Sequence, residues 1–178
     1  MQRQFYSSQF TNLFCTWGLI ALLMFASAPL FAEDTELKQA REAINAMEYS
    51  VAVSKLKAYL KTHPDDIRRL HLLAKTYAWD NQFEAASKVY DQLLAVDPKQ
   101  VEYVYGKAQA LLWSEKIGEA IPLLEKAWSL QPENAEILRS LILNLNQSAT
   151  PEHKQRAKEL GKTALEKFPN MHWDLIIE

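Results

Sequence analysis

From Thr35 onward, apolar residues recur at spacings of three and four, the period of an amphipathic helix. Leu70, Leu73, Ala74 and Tyr77 fall on one face of a helix predicted over 67–79. Ala86, Tyr90, Leu93 and Leu94 do the same on a second helix over 83–96. The small residues Ala74 and Ala86 are where the two can approach most closely. Between them, Asp80-Asn81 supplies a tight turn, since both residues tolerate left-handed geometry. Asp97-Pro98 ends the second helix, because proline disfavours helical geometry in the residue before it. The same patterning predicts helices over 35–47 and 49–62, 101–113 and 117–130, and 135–146 and 151–167.

These helices come in pairs, and the pairs keep a fixed period. Pro64, Pro98 and Pro132 stand 34 residues apart, the mark of a stacked repeat. Four units follow, 33–66, 67–100, 101–134 and 135–170, each a first helix (A) and a second helix (B). The fourth departs from the period, since Pro169 lies 37 residues after Pro132. Its three extra residues are expected in the turn at 147–151, with Pro151 at the first turn of a helix. Gly161 stands where the other units carry Leu56, Tyr90 and Leu124. A mid-helix glycine costs about 1 kcal/mol relative to alanine, so this unit is expected to be the loosest.

The unit resembles a tetratricopeptide repeat. The residues that carry the resemblance are Leu73-Ala74, Tyr77, Ala86, Tyr90 and Pro98 in the second unit. Ala108, Leu111, Ala120, Leu124, Ala127 and Pro132 carry it in the third, and Ala40, Ala43, Ala52, Leu56 and Pro64 in the first. The resemblance implies an all-α fold, a right-handed superhelix of about four stacked helix–turn–helix repeats. It also implies a concave groove lined by helix A at the second, fifth, ninth, twelfth and thirteenth positions of each unit.

Carried over, those positions are Arg68, His71, Lys75, Ala78 and Trp79 in the second unit, and Glu102, Tyr105, Gln109, Leu112 and Trp113 in the third. The first gives Asp34, Leu37, Arg41, Ile44 and Asn45, and the fourth Glu136, Arg139, Leu143, Asn146 and Gln147. Trp79 and Trp113 are in phase, as are His71 and Tyr105, so the groove centre reads as aromatic with Arg68, Lys75 and Arg139 nearby. Flat rings beside a few polar groups suit an extended peptide or a sugar chain, tryptophan adding large area and an indole donor. The competing reading has each Trp plugging the end of its helix pair, as a stability residue worth about 3–5 kcal/mol. Trp128, on a helix B, reads as packing between units.

Composition and the chain ends narrow the function. A formal charge of −2 argues against nonspecific nucleic-acid binding, which needs a basic surface. Residues 1–12 are polar with one basic residue, Arg3, and 13–31 are mostly apolar. Ala32 and then Glu33-Asp34 follow, so 1–32 reads as a signal peptide cleaved after Ala32. The alternative is an inner-membrane anchor over 13–31, and this leader is the one expected membrane contact. Cys15 is the only cysteine, so a cleaved chain has no disulfide, which fits an oxidising compartment. Residues around Cys15 lack the small side chains of a lipidation site. The cleaved chain would carry 19 basic against 22 acidic residues.

Catalysis finds little support. His63, His71, His153 and His172 show no metal-ligand spacing, and no H-E-x-x-H or G-x-S-x-G is present. Asp65-Asp66 and Glu33-Asp34 are placed to oppose helix dipoles. No cofactor, metal or catalytic residue is expected. In the tail, 171–178, Trp173, Ile176 and Ile177 either fold back on the fourth unit or dock on a partner, including a second copy. The expected function is a periplasmic or secreted scaffold, binding an extended peptide or another envelope protein in a preformed groove. A second expectation is a carbohydrate-binding accessory of polysaccharide export. The runs TYAWDNQFEAA and ALLWSEKIGEA are similar to runs in the periplasmic repeat regions of bacterial exopolysaccharide and cellulose export proteins.

Overall fold

Eight α-helices make up the described part of a computed structural model, which covers residues 35–148, 150–171 and 173. They are α1 (Thr35–Asn45), α2 (Tyr49–Thr62), α3 (Ile67–Trp79), α4 (Phe83–Val96), α5 (Val101–Trp113), α6 (Ile117–Leu130), α7 (Ala135–Gln147) and α8 (Pro151–Lys167). The leader and its cleavage point, Cys15, Asp34, His172, Ile176 and Ile177 lie outside the described residues. The fold is all-α and of the helical-repeat type. From α2 to α8 each helix packs on the next in chain order, and α3 also touches α5. Three-residue connections within each pair make the neighbours antiparallel.

Small residues set the spacing. Ala40, Ala74 and Ala108 on the A helices are fully buried, and so are Ala52, Ala86 and Ala120 on the B helices. Larger side chains fill the space beyond these contacts. Leu56, Leu93 and Leu124 are fully buried, each stabilising by about 2 kcal/mol. The fourth repeat uses Ile142 where the others have alanine, and Leu138, Leu141 and Leu145 join it in the largest apolar cluster. Thr76 is a buried polar side chain that the apolar pattern hides. Its hydroxyl donates to the Leu72 carbonyl at 2.7 Å.

The turns inside the first three pairs share one geometry. Met47, Asn81 and Glu115 adopt positive φ of 61°, 57° and 61°. The following N–H groups, of Glu48, Gln82 and Lys116, donate to the carbonyls of Ala43, Tyr77 and Leu111 at 2.8, 2.8 and 2.9 Å. That is a Schellman closure, which caps carbonyls the helix leaves unpaired. Only one residue per turn is left-handed: Asp80 has φ of −86°, so of the Asp80-Asn81 pair the left-handed role falls to Asn81 alone. The first helix stops at Asn45, two residues short of the expected end, because Met47 takes this role.

At the other ends, Asp66 and Asn134 cap α3 and α7, accepting from Arg69 N–H at 3.1 Å and from Glu136 and Ile137 N–H at 3.1 and 3.2 Å. Burial pushes the Asp66 carboxyl up. The Arg69 N–H, the Tyr59 hydroxyl and the charges of Arg69 and Arg68 outweigh it and hold the group below its ordinary value.

One expectation for the fourth repeat is corrected. Its three extra residues are not in the turn, since the connection between α7 and α8 has the same length as the others. They extend α8, which has 17 residues where α2, α4 and α6 have 14. Pro151 at the N-terminus of α8 allows this extension. Of the two expectations for the tail, Trp173 follows the first and folds back on the fourth repeat. It is 1% exposed, belongs to the cluster of Leu160 and Ala164, and its indole N–H donates to the Phe168 carbonyl at 3.0 Å.

The boundary between repeats two and three depends on one missing side chain. A Cβ on Gly106 of α5 would run into the ring of Tyr90 from α4, well inside van der Waals contact. Tyr90 is buried, so its ring cannot swing clear, and burial pushes its hydroxyl up to about 12. Gly106→Ala is therefore expected to destabilise, the clash costing about 1–3 kcal/mol against the ~1 kcal/mol gained by removing a helical glycine. In a Tyr90→Leu background, which supplies the residue found at Leu56 and Leu124, the same change should become stabilising by about 1 kcal/mol. Urea unfolding of the unmutated protein and the three variants checks this. An equal effect in both backgrounds would contradict it.

Candidate functional site

Trp79 and Trp113 close α3 and α5, and each leans across a repeat boundary. Trp79 packs on Tyr49, the first residue of α2, at 5.7 Å between ring centroids and 41° between planes. Trp113 packs on Phe83, the first residue of α4, at 5.6 Å and 39°. The near-identical geometry follows from the helix register, since the A helix runs antiparallel to the preceding B helix and its last residue meets that helix's first. Both indoles remain open to solvent, 41% exposed at Trp79 and 51% at Trp113. They do not plug their own helix pairs. They are surface rings, each backed by an aromatic residue of the repeat before.

Lys75 lies one turn before Trp79, with its ammonium 5.3 Å from the indole ring centre. A cation over an aromatic face is worth about 0.5–1 kcal/mol at an exposed site. Arg68 and Glu102 are exposed, while Gln109 and Arg139 are half-buried. In the first repeat Leu37 is buried, so it serves the core and not a surface.

His71 and Tyr105 do not share an aromatic centre. His71 is half-buried between repeats two and three, edge-on to Tyr103 at 5.0 Å and to Tyr90 at 5.9 Å. Tyr105 instead packs against the clusters that hold Leu138 and Ile137, on the boundary between repeats three and four. Burial pushes the His71 imidazole below its ordinary value, the Lys75 charge adds to this, and Glu102 opposes it. Trp128 packs between repeats with Lys167 5.4 Å above its ring. His63 stacks on Tyr59 at 4.4 Å, and His153 pairs with the Ser148 hydroxyl at 2.7 Å. Among the described residues, no three His, Cys, Asp or Glu side chains gather as a metal site would need.

Sequence reasoning found the tryptophans and missed their supports. Tyr49 and Phe83 were visible as aromatic residues 34 apart, each opening a B helix. The signal that connects them is the constant offset of 30 residues from Tyr49 to Trp79 and from Phe83 to Trp113. Tyr103, the nearest ring to His71, sits two positions before the residue that phase alone selects.

The comparisons with known proteins agree on the fold. Residues 35–112 match the tetratricopeptide repeat family. MamA from Desulfovibrio magneticus RS-1, residues 41 to its end, superposes with a TM-score of 0.66 at 21% identity, covering 79% of this chain and 80% of that one. A second MamA crystal structure gives 0.66 at 19%, covering 75% and 72%. A mutant O-GlcNAc transferase from Thermobaculum terrenum gives 0.61 at 22%, over 75% of this chain but 25% of the transferase chain. At these identities the likeness is one of fold. No curated protein matches the chain by sequence.

His71 generates a pH dependence with a definite sign. Its folded-state value is lowered, so the folded protein binds the proton less readily than the unfolded chain. Its contribution to stability is complete above the unfolded value of about 6.5 and is lost as pH falls through the folded value. His71→Gln is expected to flatten the fall in urea-unfolding stability between about pH 7 and pH 5. A slope equal to that of the unmutated protein would contradict the assignment.

Proposed function

We propose that this chain of tetratricopeptide type is a non-catalytic interaction scaffold of the bacterial cell envelope, holding an extended peptide or a partner protein along its helix-A faces. The observation that carries the reading is the pair of half-exposed indoles, Trp79 and Trp113, set alike on successive repeats and backed by Tyr49 and Phe83. Solvent-open aromatic rings already fixed in place lose little entropy on binding, which is how a preorganised surface gains affinity. Tetratricopeptide folds typically carry no catalytic machinery. The polar start, apolar run and small residue of 1–32 support export to the periplasm or beyond, with the mature chain starting at Glu33.

A second reading, an accessory that binds polysaccharide during export, is favoured by the same exposed indole faces, which are flat platforms for sugar rings. Titration separates the two. Oligosaccharides quench the tryptophan emission under the second reading and leave it unchanged under the first.

Crosslinking in intact cells followed by purification from the envelope fraction tests the main reading. A partner protein is expected with the unmutated chain and lost with Trp79→Ala/Trp113→Ala, whose thermal melt should stay cooperative because both side chains are half-exposed. N-terminal sequencing of the same material should begin at Glu33. A partner that survives the double substitution sinks the proposed surface, and an intact Met1 in that fraction sinks the cleavage.

A further inference from the structure

We infer that the surface beside Trp79 selects an acidic segment of extended peptide, reading a carboxylate next to an apolar side chain. This rests on the peptide reading above and names the chemistry of its ligand. Two cations on this face, Arg68 and Lys75, differ from others of the fold in their partners. Lys55, Lys107 and Lys167 each pair with a carboxylate, of Glu36, Asp91 and Glu133. Among the described residues, Arg68 and Lys75 have none within ion-pair distance. Asp66 feels the charge of Arg68 but its oxygens are engaged by the Arg69 N–H and the Tyr59 hydroxyl.

Lys75 is also already ordered. Its ammonium rests 5.3 Å from the Trp79 ring centre, and Trp79 is itself held by Tyr49. A flexible lysine loses much of its ion-pair energy to side-chain ordering. Here the indole has restricted the side chain before any ligand arrives. Beside it, the open part of the indole offers an apolar surface. Alternate residues of an extended peptide point the same way and stand about 6.6 Å apart, comparable with the separation of the ammonium from the ring. An acidic residue two positions from an apolar one would therefore meet both groups. Glu102, exposed on the next repeat at the position in phase with Arg68, repels a carboxylate there and confines the preference to repeat two.

The test is peptide display. A random 12-residue library is panned on the purified protein, on Arg68→Glu/Lys75→Glu, on Lys57→Glu/Lys88→Glu and on Trp79→Ala/Trp113→Ala. Lys57 and Lys88 are exposed on B helices, so the third protein carries the same charge change elsewhere. Thermal melts confirm that all four fold. Enriched peptides are expected to carry Asp or Glu within two positions of an apolar residue. The best of them should bind Arg68→Glu/Lys75→Glu at least tenfold more weakly and Lys57→Glu/Lys88→Glu within twofold of the parent. Enrichment without acidic residues, lost in the tryptophan variant, overturns this inference and leaves the groove reading standing. Acidic peptides indifferent to Arg68 and Lys75 overturn it too. A library that yields no binder overturns both.

Discussion

A helix pair of this length cannot cover both of its apolar faces, so each repeat here is completed by its neighbour. Everything else in the structure depends on that constraint. The fully buried alanines bring paired helices close, and Tyr90 reaches across to lie on the bare backbone of Gly106. Beyond α8, Trp173 gives the fourth repeat the cover that a neighbour gives the others. Trp173 turns back into the cluster of α7 and α8, and Lys167 joins Glu133, the Pro132 carbonyl and the Trp128 ring.

The same constraint shapes the surface. Because an A helix ends where the preceding B helix begins, its last side chain falls on a residue of another repeat. Tyr49 and Phe83 occupy those places, and the tryptophans that rest on them are fixed without being buried. An exposed tryptophan is ordinarily mobile and costly to order on binding. Two such rings in one orientation, with Lys75 over the first, make a surface whose geometry belongs to the stack and not to any single helix.

Much of this was legible in the amino-acid pattern. Spacing of three and four located the helices nearly to the residue, and the apolar period carried α6 through Pro122. The phased prolines gave the repeat. What escaped is what periodicity does not encode. Either α8 or its turn could have absorbed three residues, and Pro151 serves as a helix start in both cases. Met47 and Glu115 adopt the left-handed turn that composition assigns to Asn81, because the Schellman closure imposes it on whichever residue stands there. The candidate surface was half visible. Phase marked Trp79 and Trp113, yet it also joined His71 to Tyr105, although those side chains serve different repeat boundaries. Phase identifies equivalent positions, and contact is made between non-equivalent ones.

The central claim is that the preceding repeat holds Trp79 in place. A double-mutant cycle over Tyr49→Ala and Trp79→Ala, read by urea unfolding, tests it most directly. The two substitutions should be coupled by about 0.5–1.5 kcal/mol, the range for interacting aromatic pairs. Effects that add to within about 0.3 kcal/mol would mean that the rings do not support one another, and would contradict the account.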